Sequence, residues 1–299
     1  MIETSCLTKR FGTTAALDSL SFKIESGQVF GLVGSNGSGK STLLRMIAGV
    51  YKPDDGVIAV DNCKVFDNPQ LKSRIFFLCD TPYFFVNSTL LEMAAFYSKM
   101  YPRFSFERMK EMLSVFPIQP RMKIANMSKG MQRQTALILA FSAQPDYLLL
   151  DEAFDGLDPV MRDALRRLIA KDIADRNMTV VIASHNLREL EDLCDSVGLL
   201  HFGKLVFNDE LNTLKTRIHK IQAAFSAVPD TAVFAGLNVL KMERMGSLLQ
   251  MVVKGEPEEI EAFIRRLNPI FFERLSPTLE ELFIYELGGL GYDITSIFG

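Results

Sequence analysis

Val29-Phe30-Gly31-Leu32-Val33-Gly34-Ser35-Asn36-Gly37-Ser38-Gly39-Lys40-Ser41-Thr42-Leu43-Leu44 joins an apolar run to a glycine-rich turn and then to an amphipathic stretch. The run Val29–Val33, four apolar residues around Gly31 and stopped by Gly34, reads as a buried strand. Leu43, Leu44, Met46 and Ile47 follow at helical spacing. Between the two elements, glycines let the backbone turn so that successive N–H groups point inward, and the helix N-terminus adds partial positive charge. Lys40 would then reach the terminal phosphates of a nucleotide, and Ser41 would offer a hydroxyl to Mg²⁺. Gly34 to Thr42 is thus the expected cradle for a nucleoside triphosphate, held between a strand and a helix.

Beyond this stretch, short apolar runs recur at Ile75 to Leu78, Tyr147 to Leu150 and Thr179 to Ala183, alternating with amphipathic stretches. That alternation predicts an α/β fold with helices packed on a largely parallel sheet. The run Tyr147 to Leu150 ends in Asp151-Glu152, and strand alternation would turn these carboxylates different ways. Asp151 could hold the Mg²⁺ shell while Glu152 orients or deprotonates an attacking water, a division that phosphoryl transfer to water requires. From about Thr81 to Met127 the pattern turns helical, with Leu90, Met93, Ala94 and Tyr97 and then Met109, Met112, Leu113 and Phe116 at spacings of three and four. After about Lys215 short β-like runs (Leu248 to Val253, Pro269 to Phe272) surround a Glu-rich helix starting near Glu256 and Pro257.

Composition narrows the function classes. The chain has 299 residues, 48% of them hydrophobic, enough for a substantial core and too many for a disordered chain. Its net charge of −3 is too balanced for a nonspecific nucleic-acid binder. No stretch approaches the ~20 apolar residues of a membrane span, and the start lacks the layout of a signal peptide, so a cytoplasmic location is expected. Cys6, Cys63, Cys79 and Cys194 are widely separated, which suggests neither a disulfide framework nor a zinc site, and they read as small core residues. The 23 Phe and 14 Met raise a further expectation, that some apolar surface faces a partner.

Residues around these motifs resemble the ATP-binding cassette (ABC) ATPases over positions 1 to about 215. Met127-Ser128-Lys129-Gly130-Met131-Gln132 precedes the carboxylate strand, Phe154-Asp155-Gly156-Leu157-Asp158-Pro159 follows Glu152, and Ser184-His185 ends the next strand. The resemblance implies a P-loop NTPase core with a mixed sheet and helices, an inserted helical subdomain at about 81–127, and a small α+β domain over 216–299. It makes Ser128 and Gly130 the signature motif, Leu157-Asp158 the D-loop and His185 the switch histidine. Phe11, in Lys9-Arg10-Phe11-Gly12, becomes the aromatic that stacks on adenine. ATP and Mg²⁺ are the implied cofactors. A second ATPase subunit is implied as well, its signature segment closing over the phosphate loop of the first.

Three departures from the family pattern stand out. Phe77-Leu78-Cys79-Asp80-Thr81-Pro82 places Asp80 where the family usually has Gln, which would make Asp80 a third Mg²⁺ contact beside Ser41 and Asp151. Lys129 and Met131 replace the commonest signature residues in a form similar to that of exporter ATPases, and Ala153 replaces a usual Pro. Pro277-Thr278-Leu279-Glu280-Glu281-Leu282-Phe283 resembles the end of ATPases serving ABC-2 type exporters, and the Gly-Gly-Leu-Gly-Tyr-Asp tail is similar to a bacterial subgroup associated with peptide export. The expectation is an exporter ATPase, peripheral on the inner face of the cell membrane, that drives separate ABC-2 type permease subunits and moves peptides, drugs or other amphipathic molecules. A mechanical ATPase acting on ribosomes or DNA would usually carry two cassettes or a long coiled coil. A nucleotide-gated binding module, the other alternative, would normally lose Glu152 or His185, and a GTPase, a weaker rival, would carry a guanine-reading Asn-Lys-x-Asp segment. None of these features is found in the sequence.

Overall fold

The computed structural model describes residues 1–289, so residues 290–293 of the glycine-rich tail lie outside the described residues. The chain divides into two compact units, Met1–Asn208 and the remainder from Asp209. The first begins with β1 (Ile2–Phe11) and β2 (Thr14–Ile24), then β3 (Val29–Val33), α1 (Lys40–Ile47), β4 (Asp55–Val60), β5 (Cys63–Lys64), α2 (Pro69–Lys72) and β6 (Ile75–Leu78). An inserted helical lobe follows, with α3 (Leu90–Met100), α4 (Phe106–Val115) and α5 (Lys129–Ser142). The chain returns through β7 (Tyr147–Asp151), α6 (Pro159–Arg176), β8 (Thr179–Ser184), α7 (Leu187–Glu191), β9 (Ser196–His201) and β10 (Lys204–Glu210).

Two sheets clasp α1. An antiparallel sheet has the order β2-β1-β4-β5, and a six-stranded sheet has the order β10-β9-β3-β8-β7-β6. In the second sheet β3, β6, β7, β8 and β9 are parallel. The sequence explains the difference between the sheets. β3, β7 and β8 are buried along their whole length, as their unbroken apolar runs require. In β1, exposed Glu3 and Ser5 alternate with buried Ile2 and Thr4 before a register shift ahead of Leu7. Leu43, Leu44, Met46 and Ile47 of α1 fill the space between the sheets against Leu17, Leu20, Leu32, Leu149 and Val181.

The helical lobe starts later than its sequence pattern suggests. Residues 81–88 are not helical, and α3 begins only after Thr89, whose hydroxyl accepts from the Glu92 N–H while Glu92 accepts from the Thr89 N–H. This reciprocal cap defines the helix start. α4 has its own cap, Ser105. Arg108 of α4 meets Asp172 of α6 at 2.5 Å, and the Tyr101 hydroxyl donates to the Ile75 carbonyl at 3.3 Å, so the lobe is tied to the sheet core by polar links.

The cysteines correct an expectation. Only Cys194 is buried; Cys79 is half-buried, and Cys6 and Cys63 are exposed. Cys63 sits on the two-residue edge strand β5, and Cys6 lies at the β1 register shift with φ 47°, so local geometry rather than thiol apolarity decides their exposure.

The second unit contains α8 (Leu211–Arg217), β11 (Ile218–Ala224), β12 (Asn238–Met245), β13 (Leu248–Lys254), α9 (Pro257–Arg266), β14 (Phe271–Leu275) and α10 (Leu279–Gly289). Its antiparallel sheet has the order β12-β13-β11-β14, and Ile260 and Ile264 of α9 pack on Ile221, Met251 and Val253. The composition change at Lys215 falls inside α8, which runs straight into β11, and the unit starts at Asp209. The Thr278-to-Glu281 stretch is a helix cap: the Thr278 N–H donates to Glu281 at 2.9 Å and the Glu281 N–H donates to the Thr278 hydroxyl at 3.2 Å.

Candidate nucleotide site

Parallel register brings the motifs together. Val33 pairs with Ser184, and Asp151 pairs with Ala183, so the phosphate loop, Asp151-Glu152 and Ser184-His185 leave the sheet at the same edge. In open α/β sheets, ligands bind at such carboxyl ends. A cavity of about 250 Å³ lies there, lined by Ala16, Asn36, Gly37, Gly39, Lys40, Ser41, Thr42, Asp80 and Glu152.

The loop's shape depends on Gly39, which precedes α1 with φ 110°, and a Cβ there would stand 2.5 Å from the Ala16 carbonyl oxygen. No side chain caps α1, so its first N–H groups are left for an anion. Lys40 is buried and donates to the carbonyls of Gly34 at 2.5 Å and Ser35 at 3.2 Å; its Nζ lies 4.0 Å from Glu152. Burial lowers its pKa, against the pull of Glu152 and Asp151. A cation held in place this way has little reorganisation left to do when phosphate arrives. Ser38 turns its hydroxyl inward with no hydrogen-bond partner.

Asp151 is the last residue of β7, and both its oxygens are buried with no hydrogen-bond partner of normal geometry. Burial pushes its pKa up; nearby Ser41, Arg45 and Lys40 oppose this, and Asp80 adds to it. A carboxylate left unpaired beside a serine hydroxyl and a second carboxylate is a donor set suited to a hard divalent cation. Glu152 departs from the expected strand alternation: it has left the strand with φ 49°, and its N–H donates to the Ala183 carbonyl at 2.9 Å. A left-handed non-glycine residue of this kind costs about 1 kcal/mol and marks a position whose direction is fixed. One Glu152 oxygen lies 3.0 Å from His185 Nδ1. Burial raises the Glu152 pKa, and the His185 and Lys40 charges oppose it.

Other sequence candidates are placed differently. Asp80 lines the cavity but also accepts from Arg133 of α5 at 3.1 Å, and Arg133 is only 7% exposed. Ser128 caps α5, its hydroxyl accepting from the Met131 N–H at 3.2 Å, and it does not line the Lys40 cavity. Gly130 is required by packing, since a Cβ there would lie 2.9 Å from the Gly156 carbonyl oxygen. Asp158 caps α6 through the Met161 N–H. Phe11 stands outside the cavity lining, 47% exposed, with its ring edge-on to Tyr51 and Lys9 over it.

Sequence reading missed Arg133, Arg162 and Glu189. Each is a charged residue on a helix, where a solvated face is the ordinary expectation, and each is paired only with residues distant in sequence or across a turn. Glu189 lies between the apolar Leu187 and Leu190, and that is the signal that could have exposed it.

Fold and site together define a P-loop nucleoside-triphosphatase with an inserted helical lobe. Comparison narrows the class. The sequence profile of the ABC transporter family matches residues 17–155. The chain is 32% identical to the ABC transporter ATP-binding protein YtrB of Bacillus subtilis over 97% of this chain and 99% of that protein. It is 34% identical to the bacitracin transport ATP-binding protein BcrA of Bacillus licheniformis over 74% of this chain and 73% of that one. A solved ATP-binding subunit of an ABC transporter superposes with a TM-score of 0.67 at 26% identity, covering 72% of this chain and 92% of that one. A bacterial cassette solved as a dimer shares the fold, with a TM-score of 0.65 at 23% identity over 71% of this chain and 99% of that one. The chain belongs to the ABC transporter family, as an ATP-binding protein with the family's ATPase fold. It is an ATPase.

Proposed function

We propose that this ATPase powers an ABC exporter, sitting peripherally on the inner face of the cell membrane and working as a head-to-tail pair of ATP-binding subunits on separate ABC-2 type membrane subunits. The observation that carries the pairing is the separation inside one chain: Ser128 opens α5 on the inserted lobe, outside the lining of the cavity that holds Lys40, Ser41 and Glu152. A second copy would bring its Ser128 and Gly130 to the far side of the nucleotide.

In this reading, the N-terminus of α1 and Lys40 bind the phosphates of ATP. Glu152 accepts a proton from the water that attacks the terminal phosphorus, the bond to the bridging oxygen breaks, and ADP and inorganic phosphate leave. His185 holds the Glu152 carboxylate by the 3.0 Å contact. Ser41, Asp80 and Asp151 would hold Mg²⁺, which supplies charge neutralisation on the phosphate oxygens. Phe11 would support the adenine by stacking, and Asp158 would face the partner subunit. An exposed aromatic strip beside the lobe, with Tyr83 75% and Val86 87% exposed and Phe85 and Phe96 next to them, suits a membrane subunit. Similarity to a bacitracin transport protein supports a peptide or comparable amphipathic cargo.

A complementation assay tests the pairing. Lys40→Ala and Ser128→Arg chains are each expected to be inactive alone, and a mixture should regain activity because one of its two composite sites is intact. A mixture as inactive as its parts would contradict the pairing. Affinity capture from mildly solubilised membranes tests the transport role, and recovery of no multispanning membrane protein would count against it.

A further inference from the structure

His185 makes one hydrogen bond of its own, to Glu152, and its side chain is otherwise open to solvent. Its two neighbours are gripped by a single buried carboxylate. Glu189, on the short helix α7, is 4% exposed, and its oxygens accept from the Ser184 hydroxyl at 3.0 Å and the Asn186 amide at 3.4 Å. The Asn186 N–H donates in turn to the Ser184 hydroxyl at 3.0 Å, so the backbone on both sides of His185 is closed around Glu189. The same carboxylate lies 3.3 Å from Arg162 of α6. Arg162 Nε donates to the Leu157 carbonyl at 3.0 Å, and α6 is capped by Asp158. A buried carboxylate is expensive unless paired and hydrogen-bonded, and here the partners are Ser184 and Asn186 on either side of His185 and Arg162 on α6, which itself holds the Leu157 carbonyl.

We infer that Glu189 and Arg162 form a clamp joining the loop Phe154–Asp158 to the loop Ser184–Asn186, and that both are positioning residues for hydrolysis, acting through His185. This rests on the reading of Glu152 and His185 given above. The clamp makes the two loops move together. A displacement of Leu157-Asp158 is passed through the Arg162 fork to Glu189 and hence to the backbone carrying His185. Neither residue touches the cavity, so nucleotide affinity is independent of the clamp while turnover depends on it.

The test is a double-mutant cycle on the full chain, reading both turnover and affinity for a fluorescent ATP analogue. Glu189→Ala should lower kcat at least tenfold and leave the affinity within about twofold. In a His185→Ala background the same substitution should cost less than about twofold further, since the residue it acts through is gone. Arg162→Gln should lower kcat in the same direction and likewise lose its effect beside His185→Ala. If Glu189→Ala does not fold, Ser184→Ala and Arg162→Gln, which each remove one arm, carry the same cycle. A normal kcat in Glu189→Ala and Arg162→Gln beside a slowed His185→Ala, or additive effects, would overturn the clamp alone. Wild-type turnover in His185→Ala itself would overturn the site reading and the clamp with it.

Discussion

Asp80 is pulled two ways. It lines the nucleotide cavity close enough to Asp151 to raise that group's pKa, yet it also neutralises Arg133, which donates as well to the Cys79 carbonyl at 3.2 Å. A charged carboxylate is a harder magnesium ligand than an amide. Asp80→Asn is therefore expected to raise the Mg²⁺ concentration for half-maximal ATPase activity several-fold, while ATP binding without Mg²⁺ stays within twofold. Unchanged Mg²⁺ dependence would show that Asp80 serves Arg133 alone. At this scale the placement of Lys40, Asp151, Glu152 and His185 was legible, because spacing to a strand end or helix start locates them, and the structure brings them to one sheet edge. It was silent on Arg133 and Glu189, whose partners are set by tertiary packing. Its alternation argument at Glu152 failed because a left-handed turn, not the strand, sets that side chain's direction.

Among elements, the aromatics around the inserted lobe form a packed group and an exposed group, joined where Phe96 meets Tyr97 edge-on at 5.7 Å. Tyr97 and Tyr101 pack with Phe76 at ring separations of 5.5 and 5.2 Å, whereas Tyr83, Phe85 and Phe96 form an edge-to-face chain that is exposed to solvent. Phe84 is half-buried and lines a separate cavity of about 190 Å³. Tyr83→Ser with Phe85→Ser should then leave the free subunit folded and its ATPase within about twofold of wild type while weakening association with a membrane subunit at least tenfold. An inactive or misfolded free subunit would show these rings to be core. Buried parallel strands such as β3, β6, β7 and β8 were legible as apolar runs. β1, β2 and β4 were not, because buried Thr4 and Thr8 look polar, and register shifts break the alternation that a window of sequence could detect.

For the molecule as a whole, acid sensitivity has an identifiable contributor. Asp61 accepts from the N-terminal ammonium at 2.9 Å, Tyr147 at 2.5 Å and Arg74 at 2.7 Å. Arg74 and Arg103 both bind Asp146, which extends the network. Burial disfavours the Asp61 charge, but the bonds from Tyr147, the terminal ammonium and Arg74 outweigh it and hold its pKa down at about 2. A depressed carboxylate stabilises the folded state fully above its unfolded value, and that contribution is lost as pH falls from there through the folded value. Asp61→Asn should accordingly lower stability at neutral pH and flatten the loss between about pH 4 and pH 2, as read by urea unfolding. An unchanged slope across that window would remove Asp61 from the account.

In the proposed mechanism, ATP bound at the α1 N-terminus is hydrolysed through Glu152. The most direct test is turnover and ATP affinity of wild type and Glu152→Gln measured side by side on the purified chain. Glu152→Gln should bind ATP within about twofold of wild type and turn over at least ~10²-fold more slowly, the scale expected for a lost general base. Turnover within twofold of wild type would contradict the claim.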